Sequence, residues 1–141
     1  MMINEYDAFS AWRAPIIWDH DGDTYQGIVL RRITLAHRHY SIVISEDHEF
    51  GDNAPGPEWN GFCLNTRFLI ILRASMPYPL ARWTLAHEMG HVFGSTINNH
   101  SEEFASLAAC FLHDVAFIDP VGKAVWERGI AALTKLRDSG E

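Results

Sequence analysis

One cluster of residues has both the types and the spacing to do chemistry together: His87-Glu88-Met89-Gly90-His91. It reads H-E-x-x-H. On a helix, four residues turn through about 400°, so His87 and His91 share one face about 6 Å apart along the axis. Two imidazole nitrogens can then converge on one metal ion. Zinc takes nitrogen and oxygen ligands in a near-tetrahedral set, and catalytic sites leave one position open. Glu88 lies about 100° round the helix from His87. It is placed beside the open position, as an acid/base for a water molecule, rather than as a ligand. The bland alternative is a surface helix that carries two histidines by chance.

The flanks support a helix. Pro79 can open it and Gly94 can close it, with Leu85, Ala86, Met89, Val92 and Phe93 available for packing. Gly90 costs about 1 kcal/mol inside a helix relative to Ala. Its expected use is to let another backbone come close. A longer pattern, H-E-x-x-H-x-x-G-x-x-H, fails because its last position is Ile97. The third ligand must come from His100, Glu102 or Glu103. A second helix is predicted from about Ser101, with Phe104, Leu107, Ala108, Phe111 and Leu112 at helical spacing. A carboxylate in its first turn can reach back and complete a His2Glu set. Acidic residues also favour a helix start for electrostatic reasons alone. Asn99 with Glu102 can form a capping pair that occupies Glu102 locally, which leaves Glu103 as the better ligand.

The remaining elements read as strands first and helices after. Residues up to about Trp18 are predicted as a short helix, and Asp19 to Asp23 as a turn without the spacing of a calcium loop. Tyr25–Leu35 and Tyr40–Ser45 read as a hairpin, with His37 and His39 at its solvated turn. Glu46 to Glu58 is polar and rich in Gly and Pro, the composition of an exposed loop. Strands follow near Gly61–Leu64 and over Arg67–Arg73, and Val121 to Arg137 forms a last helix with Val125, Trp126, Ile130, Leu133 and Leu136 near one face. The order predicts an α+β domain, with a small, mostly antiparallel sheet packed on the active-site helix and helices at the C-terminal end.

Arg82-Trp83-Thr84-Leu85-Ala86-His87-Glu88-Met89-Gly90-His91 resembles the R-x-T-L-A-H-E-L-G-H core of the ImmA/IrrE metallopeptidases. Glu103-Phe104-Ala105-Ser106-Leu107-Ala108-Ala109-Cys110-Phe111-Leu112 resembles that family's downstream E-A-N-x-F-A-A-x-L-L helix, and Phe68–Leu72 its strand before the first helix. The two blocks cover about a quarter of the chain. Phe104 and Ala105 depart from the family's Ala and Asn, and His113-Asp114 stands where a proline usually follows. The resemblance implies a zincin-like fold, one zinc ion on His87, His91 and Glu103, and Glu88 as catalytic acid/base. It also implies a regulatory protein substrate, since relatives cleave helix-turn-helix repressors in phage, mobile-element or stress-response circuits.

Composition bounds these readings. A chain of 141 residues is long enough for one domain, 1–141, with a real core, and 48% hydrophobic residues exclude disorder. A net charge of −7 argues against a nucleic-acid face. Cys63 and Cys110 form no C-x-x-C pair and read as two buried small hydrophobes. The N-terminus lacks the regions of a signal peptide, and no apolar run approaches a membrane span, so a cytoplasmic location is expected.

The favoured function is therefore a zinc-dependent endopeptidase acting on a specific protein. A zincin-fold module that sequesters a partner and a protease toxin or host-takeover factor are the alternatives. Zinc would acidify a bound water to a pKa of about 7, with Glu88 passing its proton to the leaving amine. The strand Phe68–Leu72 is either a platform for an extended substrate or simply central to the sheet. Tyr78 and His100 are candidates for a second oxyanion donor, or ordinary surface and packing residues.

Overall fold

The computed structural model describes residues 3–6, 10–18, 21–46, 60–64, 68–111 and 121–138. They form an α+β fold of six strands and three helices: β1 (Ile3–Tyr6), β2 (Ser10–Trp18), β3 (Asp21–Leu35), β4 (Arg38–Ser45), β5 (Gly61–Leu64), β6 (Leu69–Arg73), α1 (Tyr78–Thr96), α2 (Glu102–Phe111) and α3 (Lys123–Asp138). Among the described residues, no helix is long and apolar enough to cross a membrane.

The sheet runs β1-β3-β4-β6-β5, and β2 pairs the N-terminal half of β3 while β1 pairs its C-terminal end. All pairs are antiparallel except β4 with β6. The long third strand works because of one extra residue. Its apolar positions Ile28 and Leu30 have one parity, and Ile33 and Leu35 the other. The register with β4 shifts between Val29 and Arg31, so a bulge at Leu30 restores all four to the core face. Tyr40, Ile42 and Ile44 of β4 and Ile70 and Leu72 of β6 complete that face.

The predicted N-terminal helix is not found: Ser10–Trp18 is a strand. Pro15 would break a helix interior but is tolerated in β2, which is an edge strand among the described residues. Of the predicted turn Asp19 to Asp23, residues 21–23 open β3, and 19–20 lie outside the described residues. The β3–β4 connection is a two-residue turn, Ala36-His37, with φ of 51° and 65°. His37 and His39 are exposed there, as expected. Of the predicted loop, 47–59 lies outside the described residues. Phe68–Leu72 was open to two readings, and β6 takes the central one, paired with β4 on one side and β5 on the other. It has no free edge for a substrate.

α1 lies over β5 and β6, and α3 lies over β3 and β4, both on the same face of the sheet. Ala81, Leu85, Met89 and Val92 turn α1 toward the sheet, and Gly90 and Gly94 turn it toward α2. A third stripe, Leu80, Thr84, His87 and His91, faces a cleft. α1 is thus buried on most sides, which explains why its apolar residues are spread round it rather than gathered in one stripe. On α3, Trp126 and Leu133 are buried in the core, with Val125, Ile130 and Leu136 packed at its margin.

Candidate metal centre

The end of α1 decides where the site's third member comes from. Gly94 does not close the helix, which continues to Thr96. Asn98 closes it, in the left-handed region at φ 57°. The Asn99 N–H donates to the Gly94 carbonyl at 2.8 Å, and the Asn98 N–H to the Ser95 carbonyl at 3.3 Å, a Schellman arrangement. The chain then reverses. The Asn99 Oδ1 accepts from the Ser101 N–H at 3.1 Å and from its hydroxyl at 2.9 Å, and the Ser101 Oγ accepts from the Phe104 N–H at 3.1 Å. Ser101 is therefore the N-cap of α2, and Glu102 is its first residue.

That cap changes which carboxylate meets the two histidines: Glu102, where Glu103 was expected. The sequence reading placed Asn99 at the cap with Glu102 tied back to it, leaving Glu103 for the histidines. With Ser101 at the cap, the third helical position is Phe104, so no carboxylate closes a capping box. Glu102 is released and turns to α1, while Glu103, about 100° further round, is exposed. The Glu102 Oε1 lies 3.0 Å from His87 Nε2, and its Oε2 lies 2.9 Å from His91 Nε2. The two rings meet edge to face, with centroids 4.9 Å apart at 77°.

Close packing brings the two helices together. A Cβ on Gly90 would stand 2.7 Å from the Ala105 carbonyl oxygen and 3.0 Å from its Cα. The expected role of Gly90, admitting another backbone, is what α2 uses.

The donor set fits a zinc ion. His87, His91 and Glu102 each offer a ligand atom, all within 4.8 Å of one another. Tetrahedral ligands about 2.0–2.2 Å from zinc lie about 3.3–3.6 Å apart, so small outward shifts of the carboxylate suffice. Two nitrogens and one carboxylate make the His2Glu set of hydrolytic centres. The Glu102 side chain is 72% exposed against 20% and 19% for the histidines, which leaves an entry path on that side.

Glu88 is 6% exposed beside this group. Burial, with the Glu102 charge adding to it, pushes its carboxyl up to about 8. Burial lowers His91, against the opposing pull of Glu102. Both directions favour the forms a metal centre needs: a neutral imidazole and a carboxyl poised to exchange a proton. Cys63 on β5 is pushed up, by burial and then by the Glu88 charge, so its thiol stays protonated.

The group opens into a cleft of about 370 Å³. Asn60 and Gly61, at the start of β5, form one wall; Leu80, Trp83 and Thr84 of α1 line the other end. β5 is the edge of the sheet on this side among the described residues. None of these five positions was singled out from sequence as part of the site. Leu80, Trp83 and Thr84 were detectable, since they precede His87 by seven, four and three residues on the same helix.

Tyr78 and His100 do not join the cleft. Tyr78 packs at the edge of the core beside Leu72 and Trp126, and the His100 Nε2 meets the Asn98 Oδ1 at 3.2 Å. Cys110, expected to be buried, is exposed on α2. No family model, curated protein or solved structure matches the chain.

Proposed function

We propose that the chain is a zinc-dependent endopeptidase of zincin-like fold. The observation that carries this reading is the convergence of the His87 and His91 Nε2 atoms on the two oxygens of Glu102, beside the buried Glu88. His87, His91 and Glu102 would hold the ion. Zinc bound there supplies a Lewis acid for a peptide carbonyl and acidifies a water. Glu88 would take a proton from the water that attacks the peptide carbonyl and deliver it to the departing amine nitrogen. Its surroundings support that task, because burial raises the carboxyl to about 8, where it holds and releases a proton close to neutral pH. A cation on Glu102 would offset part of that rise.

An extended peptide would lie between Asn60-Gly61 and α1, beside β5, the edge strand among the described residues, with Leu80 and Trp83 at an apolar end. The likeness of Arg82–His91 to the ImmA/IrrE core makes a helix-turn-helix repressor the first substrate class to try.

The test compares wild type with Glu88→Gln. Elemental analysis measures zinc, and mass spectrometry follows cleavage of a peptide library digested from a bacterial proteome. About one zinc per chain is expected in both, with new termini from wild type alone. Zinc-loaded wild type that cuts nothing beyond the Glu88→Gln background would overturn the reading.

A further inference from the structure

α2 carries a second polar side chain one turn after Glu102, and it meets the same centre. Ser106 follows Glu102 by four residues, so both lie on the face turned toward α1. The Ser106 Oγ stands 3.5 Å from His87 Nδ1, on the far side of the ring from the Nε2 that faces Glu102. Other hydroxyls nearby behave differently. Ser95 and Thr96 turn back on their own helix and donate to the carbonyls of Val92 and Phe93. Ser106 instead reaches across to the neighbouring helix.

We propose that Ser106 is a positioning residue of the metal centre, holding His87 by its Nδ1 so that Nε2 faces the ion. This rests on the metal-centre reading above. An imidazole that gives Nε2 to a cation carries its proton on Nδ1, and that N–H needs an acceptor. The Ser106 hydroxyl is that acceptor. It fixes both the tautomer and the rotation of the ring, which on a partly exposed side chain are otherwise free. Among the described residues, His91 has no equivalent partner at Nδ1; its ring is steadied by the edge-to-face contact with His87. One helix thus supplies both a direct ligand and the support for another ligand.

The chemistry separates this role from a merely structural one. Ala is a better helix former than Ser, and Thr a poorer one. If Ser106 acted only through the stability of α2, Ser106→Ala would improve the protein and Ser106→Thr would harm it. The proposal reverses that order for metal binding, because Thr keeps a hydroxyl and Ala does not.

Zinc affinity is measured by competition with a chromophoric chelator for wild type, Ser106→Ala, Ser106→Thr and Glu102→Ala. The cobalt(II) absorption spectrum and thermal unfolding in EDTA accompany it. Ser106→Ala is expected to weaken zinc about tenfold, with an unfolding temperature in EDTA equal to or above that of wild type. Ser106→Thr is expected to restore affinity and the wild-type cobalt spectrum. Ser106→Ala binding zinc as tightly as wild type, while Glu102→Ala does not, overturns this inference alone. Loss of zinc in Ser106→Ala together with a lowered unfolding temperature in EDTA overturns it as well, since the effect is then structural. Wild type that binds no tighter than Glu102→Ala overturns the metal centre and this inference with it.

Discussion

Two helices reach their neighbours through a glycine, and the two contacts differ in what stands opposite. At Gly90 on α1 the nearest atoms are backbone, the carbonyl oxygen and Cα of Ala105. At Gly129 on α3 an added Cβ would run into Leu30 Cδ2, the far end of a side chain. The second approach is closer, yet it is the more forgiving. Leu30 can change rotamer or lean aside, whereas Ala105 can move only if the whole of α2 moves. The rigid contact is the one that bears Glu102 and Ser106; the yielding contact bears only core. Closeness of approach is therefore a poor guide to cost, and the kind of atom opposite is a better one.

The sharpest way to break that contrast is at the ligand itself. Glu102→Ala is expected to weaken zinc by more than about a hundredfold, a larger loss than that of a supporting residue, while Glu103→Ala leaves it unchanged. Chelator competition on both variants decides it. Loss at Glu103 instead would place α2 one residue out of phase with this description.

The glycines come next. Gly90→Ala is expected to cost more than about tenfold in zinc affinity, a loss like that of a supporting residue, by pushing Glu102 and Ser106 outward together. It should also lower the unfolding temperature, although Ala gains about 1 kcal/mol of helix propensity. Gly129→Ala enjoys the same propensity gain against a side chain that can give way, so its stability should stay within about 1 kcal/mol of wild type, with zinc binding intact. Calorimetry beside the metal titration reads both. A Gly129→Ala variant that unfolds as badly as Gly90→Ala would erase the distinction.

The smallest effect lies in the sheet, remote from the ligands. Burial pushes Tyr40 up to about 12, against the pull of Arg38. An unfolded tyrosine ionises near 10. The contribution of neutral Tyr40 to stability is thus fully present below pH 10 and is lost as pH rises toward 12. The wild-type unfolding temperature should fall more steeply between those values than that of Tyr40→Phe. Identical slopes would remove Tyr40 from the alkaline transition.

Much of this architecture could be read from residue patterns, and the failures share a cause. The H-E-x-x-H helix, the strands β3 to β6, the last helix and the purpose of Gly90 follow from local periodicity and from a glycine with no local use. The carboxylate that meets the two histidines did not, because Asn99 and Ser101 compete to cap the same helix. Their side chains differ little in capping strength, and the choice moves the carboxylates by half a turn or more. β1 and β2 were missed because their reason for being strands is β3, remote in sequence for β1. The hairpin turn was legible as a turn, but its type was not, since Ala36-His37 carries neither glycine nor asparagine. The bulge at Leu30 hides the strand's single face behind a change of parity.

Every side chain assigned to the metal or to proton transfer lies between His87 and Ser106, on one hairpin of helices. The wall across the cleft comes from Asn60 and Gly61, on a strand well upstream. On the proposed reading, part of the recognition surface is thus written in a different stretch of the chain from the chemistry. On that reading, substitutions at Asn60 and Gly61 would change what the cleft accepts while leaving its centre as it is.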